Sequence, residues 1–412
     1  MRRVLATLAL TALTFSALTM GAGAAPLKKK EFNKLKKHVK IAQARGDASL
    51  LAEKLGALAA DDSKRAVDLV LKVAMGATQS RAKIYTAATE TLGKMTSAEA
   101  TAAICAYATK KKTPPLIKIL AIEVLGQRAD TTSAAALGEV LKDGRPEILR
   151  AALKAIKTRR AGECVDGLLN LLERLGKRPD ALILADTREA LVEITGKWFD
   201  SIEDWRKWWA YSKHAGKREV TGSTKELLAT AERKQAPPKF FGTEIKSERV
   251  VFVIDVSGSM KGTRLAKSKK QLIQCIGALR RGSSFTVSSY SSQVRIWNRK
   301  LQPATQRNKG KAISFVETLR AQGNTCTLEG LTRAFDTTGA DTIVLLSDGA
   351  PTGTRKNGER WTEAEILEEV AGTNKVRQWR IHTFGFGAAG RNLVQFMKDL
   401  ASKNDGKFTQ ID

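Results

Sequence analysis

The first half of the chain has the residue spacing of amphipathic helices. From Lys28 to about His214, alanine and leucine recur at intervals of three and four residues, and the alternation typical of strands is scarce. Apolar residues at this spacing fall on one face of an α-helix. The pattern predicts an all-helical domain, which we place at residues 25–212.

A short helical phrase recurs within this domain. Its equivalent positions are Leu92, Leu125, Ile156 and Ile194. They are 33, 31 and 38 residues apart, and a period of that length with two helices per repeat is typical of a helical solenoid. The pattern resembles HEAT-type repeats over about residues 47–200, and an irregular helical bundle is the alternative.

An aromatic segment ends the helical domain. Residues 198–209 hold four of the seven tryptophans of the chain. We interpret the segment as a capping helix whose rings cover the open end of the solenoid, and an aromatic ligand platform is the alternative. Residues 213–246 are rich in Lys, Thr, Ala and Gly and contain Pro237-Pro238. This composition predicts a linker between two domains.

The pattern changes at Ser247, where strands and helices begin to alternate. The run 249–254 is continuous and β-branched, as in a buried parallel strand. Further strands are predicted at 284–289, 294–297, 342–346, 380–384 and 407–411, and helices at 264–279, 309–320, 328–335, 362–379 and 392–402. This alternation predicts an α/β domain of the doubly wound, Rossmann-like class at residues 247–412.

The N-terminus has the layout of an export signal. Arg2 and Arg3 precede an apolar run, and Ala22 and Ala24 provide a small-residue cleavage site. We expect residues 1–24 to be a signal peptide, with a retained membrane anchor as the alternative. No later stretch approaches the length of a spanning helix. The sequence therefore predicts an exported protein of the periplasm, the cell envelope or the extracellular space.

The net charge is strongly positive. The 412 residues include 70 Lys and Arg against 42 Asp and Glu, which gives a formal charge of +28. A chain of this charge is expected to bind polyanions at low salt. It has no helix-turn-helix, finger or RRM signature and no aromatic residues interleaved among basic ones, so a specific nucleic-acid partner is not predicted.

Oxygen-bearing side chains follow two of the predicted parallel strands. Asp255, Ser257 and Ser259 come after the first strand, and Asp348 follows a later one. Thr325 lies between them in the sequence, at the start of a helix. Ligands of doubly wound folds bind beyond the carboxyl ends of the strands. Two carboxylates and three hydroxyls there are hard ligands that suit Mg²⁺, Mn²⁺ or Ca²⁺.

These five residues also carry a family resemblance. The motif Asp-x-Ser-x-Ser at 255–259, with Thr325 and Asp348, resembles the metal-ion-dependent adhesion site of a von Willebrand factor type A domain. The resemblance covers about residues 247–412. It implies that the three hydroxyls bind the ion and that the two carboxylates often act through water. With its signal peptide and HEAT-like repeats, the chain resembles exported bacterial proteins that carry this domain.

The resemblance implies a binding protein rather than an enzyme. Two carboxylates offset the charge of the ion, so a Glu or Asp of a protein partner can supply the missing oxygen. Lys261, Arg264, Arg355 and Lys356 on neighbouring loops would favour such a partner. One alternative is that the basic solenoid binds an acidic polymer or a cell surface. Another is an assembly subunit that works beside an ATPase, against which the export signal argues.

Other chemistry has little support in the sequence. Residues 385–390 match G-x-G-x-x-G, but no following strand offers the acidic residue of a dinucleotide site, so we interpret the motif as a tight turn. His382 lies inside a predicted strand, away from the hydroxyls that a base would activate. Cys105 and Cys164 fall in neighbouring repeats. We interpret them as buried thiols, with a disulfide as the alternative.

Overall fold

The computed structural model shows two units that follow one another along the chain. It describes residues 26–177, 180–215, 237–355, 357–386 and 390–411. The predicted signal peptide, residues 216–236 of the predicted linker and residues 387–389 of the glycine motif lie outside the described residues.

The first unit consists of helices joined by short connections. Its described helices are α1 (Lys29–Arg45), α2 (Ala48–Ala57), α3 (Lys64–Met75), α4 (Arg81–Gly93), α5 (Ala98–Thr109), α6 (Pro115–Gln127), α7 (Thr131–Val140), α8 (Pro146–Arg159), α9 (Val165–Lys177), α10 (Ala181–Thr195) and α11 (Ile202–Ala215). Asp47, Asp130 and Asp180 cap helices by accepting backbone N–H groups of the first turn. Pro115 and Pro146 begin helices at the position where an N–H has no partner within the helix.

These helices stack in two rows. Helices α2, α4, α6, α8 and α10 contact one another in that order, and α3, α5, α7, α9 and α11 form the second row. The four equivalent positions of the sequence repeat lie near the ends of α4, α6, α8 and α10. Two stacked rows are the arrangement that the repeat predicts, because each helix pair buries its apolar face against the next. The assignment to the HEAT type stays a prediction.

The aromatic segment packs at the end of this stack. Trp205 is buried, and its ring centroid lies 5.0 Å from that of Phe199 and 6.2 Å from that of Trp208. Trp209 Nε1 donates a hydrogen bond of 2.9 Å to Asp166 Oδ1 of α9. The rings therefore belong to the helical core, which favours the interpretation of the segment as a cap.

The second unit is a mostly parallel sheet between two layers of helices. Its strands are β1 (Lys239–Phe240), β2 (Thr243–Glu244), β3 (Arg249–Asp255), β4 (Ser284–Tyr290), β5 (Val294–Ile296), β6 (Gln302–Pro303), β7 (Thr342–Ser347), β8 (Arg380–Phe386) and β9 (Phe408–Ile411), and its described helices are α12 (Thr263–Ala278), α13 (Gln306–Thr318), α14 (Thr327–Phe335), α15 (Glu363–Arg377) and α16 (Gly390–Lys403). The main sheet has the order β5-β4-β3-β7-β8-β9, and β6 also pairs with β4. Neighbours from β4 to β9 are parallel, whereas β5 and β6 are antiparallel to β4. The predicted α/β architecture is confirmed.

The central strand β3 contributes to a separate core on each face of the sheet. Phe252 and Ile254 pack with side chains of α12 and α13. Val251 and Val253 pack with side chains of α14, α15 and α16. A strand that is buried on both faces has to be apolar at consecutive positions, which explains the continuous β-branched run.

Part of the predicted linker is integral to the second unit. Strands β1 and β2 form a two-stranded antiparallel hairpin within residues 213–246. Phe240 of this hairpin is buried, and its ring centroid lies 4.8 Å from that of Phe384 and 6.2 Å from that of Phe252. The second unit therefore begins before Ser247, because its apolar core includes this aromatic side chain.

The two units dock through charged side chains at the amino ends of the strands. Arg249, which begins β3, lies 2.7 Å from Asp180, and Arg380, which begins β8, lies 2.9 Å from Asp186. Helix α15 lies against α4 and α6. The carboxyl ends of the strands form the opposite edge of the sheet, so this docking leaves that edge uncovered.

Candidate metal centre

The five predicted ligands lie on three loops at the carboxyl edge of the sheet. Asp255 ends β3, and Ser257 and Ser259 follow it at the start of a short 3-10 turn. Asp348 comes directly after β7, and Thr325 lies two residues before α14. Strands β3 and β7 are parallel neighbours, so the loops that leave their carboxyl ends lie side by side.

The Asp255 carboxylate is held in place by its own loop and by β7. Its Oδ1 accepts a hydrogen bond of 2.8 Å from the Ser257 N–H, and its Oδ2 accepts one of 2.5 Å from Ser347 Oγ. The side chain is buried. Burial raises the pKa of Asp255 to about 6, although the hydrogen bonds from Ser347 and Ser257 favour the charged form. The carboxylate is therefore oriented and poorly solvated, which suits a ligand for a cation.

A chain of hydroxyl groups joins this loop to Asp348. The Oγ atoms of Ser257 and Ser259 are 3.1 Å apart, and Ser259 Oγ donates a hydrogen bond of 2.7 Å to Asp348 Oδ1. Ser257 and Asp348 are both buried. The structure therefore brings four of the five predicted ligands into one connected group.

Thr325 faces the same group from the third loop. Its backbone exchanges two hydrogen bonds with Thr352, at 2.8 and 2.9 Å. A Cβ atom placed on Gly349 would lie 3.2 Å from Ser259 Oγ and 3.3 Å from Thr325 Oγ1, so both hydroxyls border the same glycine. Within the described part of the chain, the Thr325 hydroxyl makes no hydrogen bond to protein, which leaves its oxygen available to a ligand.

Arg264 contributes a positive charge to the centre itself. It lies in the first turn of α12, where its Nη1 donates hydrogen bonds to Asp348 Oδ2 at 2.5 Å and to the Ser259 carbonyl oxygen at 3.3 Å. The sequence predicts Arg264 near the rim as a charge for an acidic partner. The structure instead directs its guanidinium to Asp348, a predicted ligand.

The other basic residues of the rim differ in their surroundings. Lys261 is exposed. Arg355 pairs with Glu359 and with Glu365, and its guanidinium carbon lies 4.3 Å from the centre of the Trp361 ring. The charge of Arg355 is therefore balanced by nearby carboxylates. Lys356 lies outside the described residues.

Sequence reasoning missed Ser347, which orients Asp255. Its hydroxyl is buried at the last position of β7 and bridges from Asp255 Oδ2 to the Gly349 carbonyl oxygen, at 2.5 and 3.2 Å. The position of Ser347 in the sequence could have indicated this role. A serine that ends a parallel strand beside the predicted site is placed to reach the carboxylate on the neighbouring strand.

The residues present fit a hard divalent cation. The donors are two carboxylates and three hydroxyls, and oxygen donors are the ligands that Mg²⁺, Mn²⁺ and Ca²⁺ prefer. No group of three or more His, Cys, Asp or Glu side chains with metal-binding geometry occurs among the described residues. An ion at this edge of the sheet would therefore depend on the hydroxyls as well as on the carboxylates.

His382 lies in the domain core, away from the hydroxyls of the candidate metal centre. It lies in the first half of β8, where it is buried and its Nδ1 accepts a hydrogen bond of 3.1 Å from the Lys407 N–H. Burial lowers the pKa of His382 to about 3. The imidazole is a hydrogen-bonded part of the core, and His382 lies inside a strand as the sequence predicts.

Solved structures similar to this chain include two bacterial proteins. One is described as von Willebrand factor type A from Catenulispora acidiphila, with 23% identity, a TM-score of 0.35 and coverage of 41% of this chain and 40% of that chain. The other is the PilB minor pilin from Streptococcus sanguinis, with 16% identity, a TM-score of 0.31 and coverage of 41% and 58%.

Curated relatives match a similar share of the chain. Inter-alpha-trypsin inhibitor heavy chain H1 of Mesocricetus auratus is 32% identical over 174 residues, which is 39% of this chain and 18% of that protein. Von Willebrand factor A domain-containing protein 3A of Homo sapiens is 30% identical over 172 residues, which is 41% of this chain and 14% of that protein. The chain thus spans less than a fifth of the length of these relatives. Residues 248–409 match the family model for the von Willebrand factor type A domain, and the second unit of the chain is a domain of this type.

Proposed function

We propose that the type A domain binds an acidic group of a protein partner through a divalent cation. The proposal rests on the hydrogen-bonded group of Asp255, Ser257, Ser259 and Asp348. Beside this group, the Thr325 hydroxyl makes no hydrogen bond to any of the residues that the structure describes. These five residues would hold Mg²⁺, or Mn²⁺ or Ca²⁺ in its place. The bound ion supplies positive charge that offsets the two carboxylates and a coordination position for a foreign oxygen.

The charges of the site explain why an acidic partner would need the cation. Asp255 and Asp348 carry two negative charges, and Arg264 offers one positive charge to them. A carboxylate that approached these residues alone would be repelled by the unbalanced charge. The site is therefore a cation-dependent receptor for Glu or Asp side chains, and no catalytic base is assigned to it.

The helical unit serves in this proposal as a scaffold. It docks at the amino ends of the strands, through pairs such as Arg249–Asp180 and Arg380–Asp186. The loops of the candidate metal centre leave the opposite ends, and a partner can reach them without moving the helices. We propose that the protein acts after export, guided by residues 1–24. In the part of the chain that the structure describes, no helix is both long enough and apolar enough to cross a membrane.

Titration of the purified chain with Mg²⁺ tests the metal site. We expect saturable binding in isothermal calorimetry, and we expect Asp255→Asn and Asp348→Asn each to abolish it because each removes a negative charge from the centre. Asp336→Asn is the matched control, since Asp336 lies on the same domain and is exposed. Unchanged binding in both site variants would contradict the assignment of the ligands.

Capture from the native cell envelope tests the partner. The purified chain should retain an acidic protein in Mg²⁺ and release it when EDTA is added, and the Asp255→Asn chain should retain nothing in either buffer. Capture that persists in EDTA would overturn cation-dependent binding, even if the calorimetry had shown that the ion binds.

A second candidate function is the binding of an acidic polymer or surface by the helical unit. The observation that favours it is the start of α1, where seven exposed lysines fall within thirteen residues: Lys28, Lys29, Lys30, Lys34, Lys36, Lys37 and Lys40. The net charge of that stretch is strongly positive, with Glu31 as the acidic exception. Clustered lysines of this kind attract polyanions over a distance of about 10 Å in moderate salt.

Salt dependence distinguishes this candidate from the first. Binding of the chain to a polyphosphate or heparin column should weaken steeply as the salt concentration rises and should be unaffected by EDTA. Replacing Lys34, Lys36 and Lys37 by Gln should flatten the salt response. A response that is flat in the unmodified chain would count against polyanion binding.

A further inference from the structure

A second polar site lies where the two units meet. A cavity of about 180 Å³ opens between helices α4, α6 and α8 of the helical unit and α15 and α16 of the type A domain. It lies near the amino end of β8, on the opposite edge of the sheet from the candidate metal centre. We refer to it as the interdomain cavity. Both units contribute its walls, so anything bound there contacts both.

The walls of the interdomain cavity carry more positive than negative groups. Its cationic residues are Arg150, Lys154, Lys375, Arg380 and Lys403, and its acidic residues are Glu123 and Asp405. Both acids are already engaged. Lys375 Nζ lies 2.5 Å from Glu123 Oε2, and Arg380 Nη2 lies 2.5 Å from Asp405 Oδ2. Three cations therefore remain without a carboxylate of the cavity wall within hydrogen-bond distance.

Among these three cations, Arg150 is the one with buried nitrogen atoms that lack hydrogen-bond partners. Its side chain is only 9% exposed, and its Nη2 donates a hydrogen bond of 3.1 Å to the Arg377 carbonyl oxygen. Its Nε and Nη1 have no hydrogen-bond partner in the described structure. The carboxylate of Asp341 approaches Nη1 only to 3.9 Å, and Arg249 already holds that carboxylate at 2.7 Å. A buried guanidinium with two unpartnered nitrogens is costly unless an anion completes its hydrogen bonds.

Two lysines extend the positive charge toward solvent. Lys154 lies four residues after Arg150 on α8, so the two side chains project from the same face of that helix. Lys403 ends α16 on the other side of the cavity. Both lysines are exposed, and neither has an ion-pair partner within 4 Å among the described residues. The site thus combines one buried guanidinium with the ammonium groups of two exposed lysines.

We propose that the interdomain cavity binds a phosphate group. A carboxylate ligand carries one negative charge, which cannot balance three cations. A phosphate dianion carries two negative charges and has oxygens in a tetrahedral arrangement, so it can contact all three cations. The Arg150 fork supplies directional hydrogen bonds to two oxygens, and the lysines act as point charges. Because residues of both units surround the anion, its binding would also hold the helical unit and the type A domain in their docked arrangement.

Calorimetry with inorganic phosphate tests the proposal on the purified chain. The titrations contain EDTA, so that an ion at the candidate metal centre cannot bind the phosphate. We expect saturable binding and a higher midpoint of thermal unfolding in phosphate than in acetate or chloride at equal ionic strength. The double variant Lys154→Gln/Lys403→Gln should bind phosphate roughly tenfold or more weakly. Both of its lysines are exposed, so the fold should be unaffected.

Two further variants make the result specific. Arg150→Gln should abolish the binding, and its folding is checked by circular dichroism. Lys72→Gln/Lys270→Gln removes the same charge from exposed positions outside the cavity and should bind phosphate as the unmodified chain does. The proposal would be overturned by non-saturable binding, by acetate binding as tightly as phosphate, or by equal phosphate affinity in the cavity double variant and its control.

Discussion

The ion pair between Arg264 and Asp348 limits the charge that the candidate metal centre offers to a cation. Arg264 Nη1 lies 2.5 Å from Asp348 Oδ2. A divalent cation at this carboxylate has to displace the guanidinium or bind beside it, and the two positive charges repel each other. We therefore expect Arg264→Gln to bind Mg²⁺ about three- to tenfold more tightly in isothermal calorimetry.

The matched control for this substitution is Lys270→Gln. Lys270 lies on the same helix, α12, and is exposed. Its loss removes the same unit of charge without touching Asp348, so the Mg²⁺ affinity should hardly change. Weaker binding in Arg264→Gln than in this control would show that the guanidinium supports the site instead of competing for it.

His382 makes the stability of the chain depend on pH. Its pKa is lowered to about 3 by burial and by the neighbouring Arg380, so the unfolded chain binds the proton first as the pH falls. The contribution is fully present above pH 6.5 and is lost as the pH falls toward 3. Between pH 6.5 and 5 it removes about 2 kcal/mol from the free energy of unfolding. Urea unfolding at several pH values measures this loss.

Comparison with His382→Gln isolates the histidine from other titrating groups. Asp255 acts in the opposite direction, because its pKa is raised to about 6 and its protonated form is favoured in the folded chain. That contribution is common to both chains and cancels in the difference. The free energy of unfolding of the variant should therefore fall less between pH 7 and 5. Parallel pH profiles would show that the histidine is not held neutral.

The sequence predicts which residues meet at this edge of the sheet but not which neighbours they contact. Asp255, Ser257 and Ser259 were predictable because a buried strand ends just before them and their spacing is local. The contact between Arg264 and Asp348 joins residues 84 positions apart. It depends on the direction in which the first turn of α12 faces β7, and no pattern within either segment specifies that direction.

Close packing of α6 on α8 requires a glycine at position 126. A Cβ atom there would lie 2.7 Å from Ala155 Cβ and 3.0 Å from Ala155 Cα, distances at which atoms overlap. Gly126→Ala should therefore lower the free energy of unfolding by about 1–3 kcal/mol, because the helices have to move apart. Urea denaturation of the two chains measures the difference.

Gly138→Ala is the control at the level of the helix. Gly138 lies near the end of α7, and nothing lies within 4 Å of a Cβ placed on it. Alanine has the higher helix propensity, so this substitution should stabilise the chain by up to about 1 kcal/mol. If Gly126→Ala also stabilised the chain, intrinsic propensity and not helix packing would determine the effect at position 126.

The helices and strands of the type A domain were largely predictable, and the hairpin before them was not. Predicted strands such as 249–254 and 342–346 agree with β3 and β7 because their apolar runs are long and continuous. Phe240 and Phe241 stand instead among Pro, Lys, Gly and Thr, a composition typical of a linker. Their place in the core follows from the distant Phe252 and Phe384, which local patterning cannot indicate.

The arrangement of the two units is a property of the whole molecule that the sequence did not predict. The contacts that dock them join residues far apart in the chain, such as Lys375 with Glu123 and Arg380 with Asp186. Charged residues on solvent-facing helix positions and at strand ends look alike whether they are solvated or paired. Their pairing emerges only when both folded surfaces are in place.

The buried pair of Arg380 and Asp186 should carry much of this docking. Their side chains are 10% and 5% exposed, and Arg380 keeps one other carboxylate, Asp405, when Asp186 is lost. Asp186→Asn leaves a buried guanidinium with half of its balancing charge, so we expect the free energy of unfolding to fall by about 3 kcal/mol. Asp336→Asn breaks an exposed pair with Arg333 and should cost about 0.5 kcal/mol or less.

Hydrogen exchange adds a local readout, because backbone amides of α10 and β8 should exchange faster in Asp186→Asn while those of α12 keep their rates. Equal free energies of unfolding for the two variants would mean that the buried pair contributes no more than an exposed pair does. The units would then be held together by their apolar contacts.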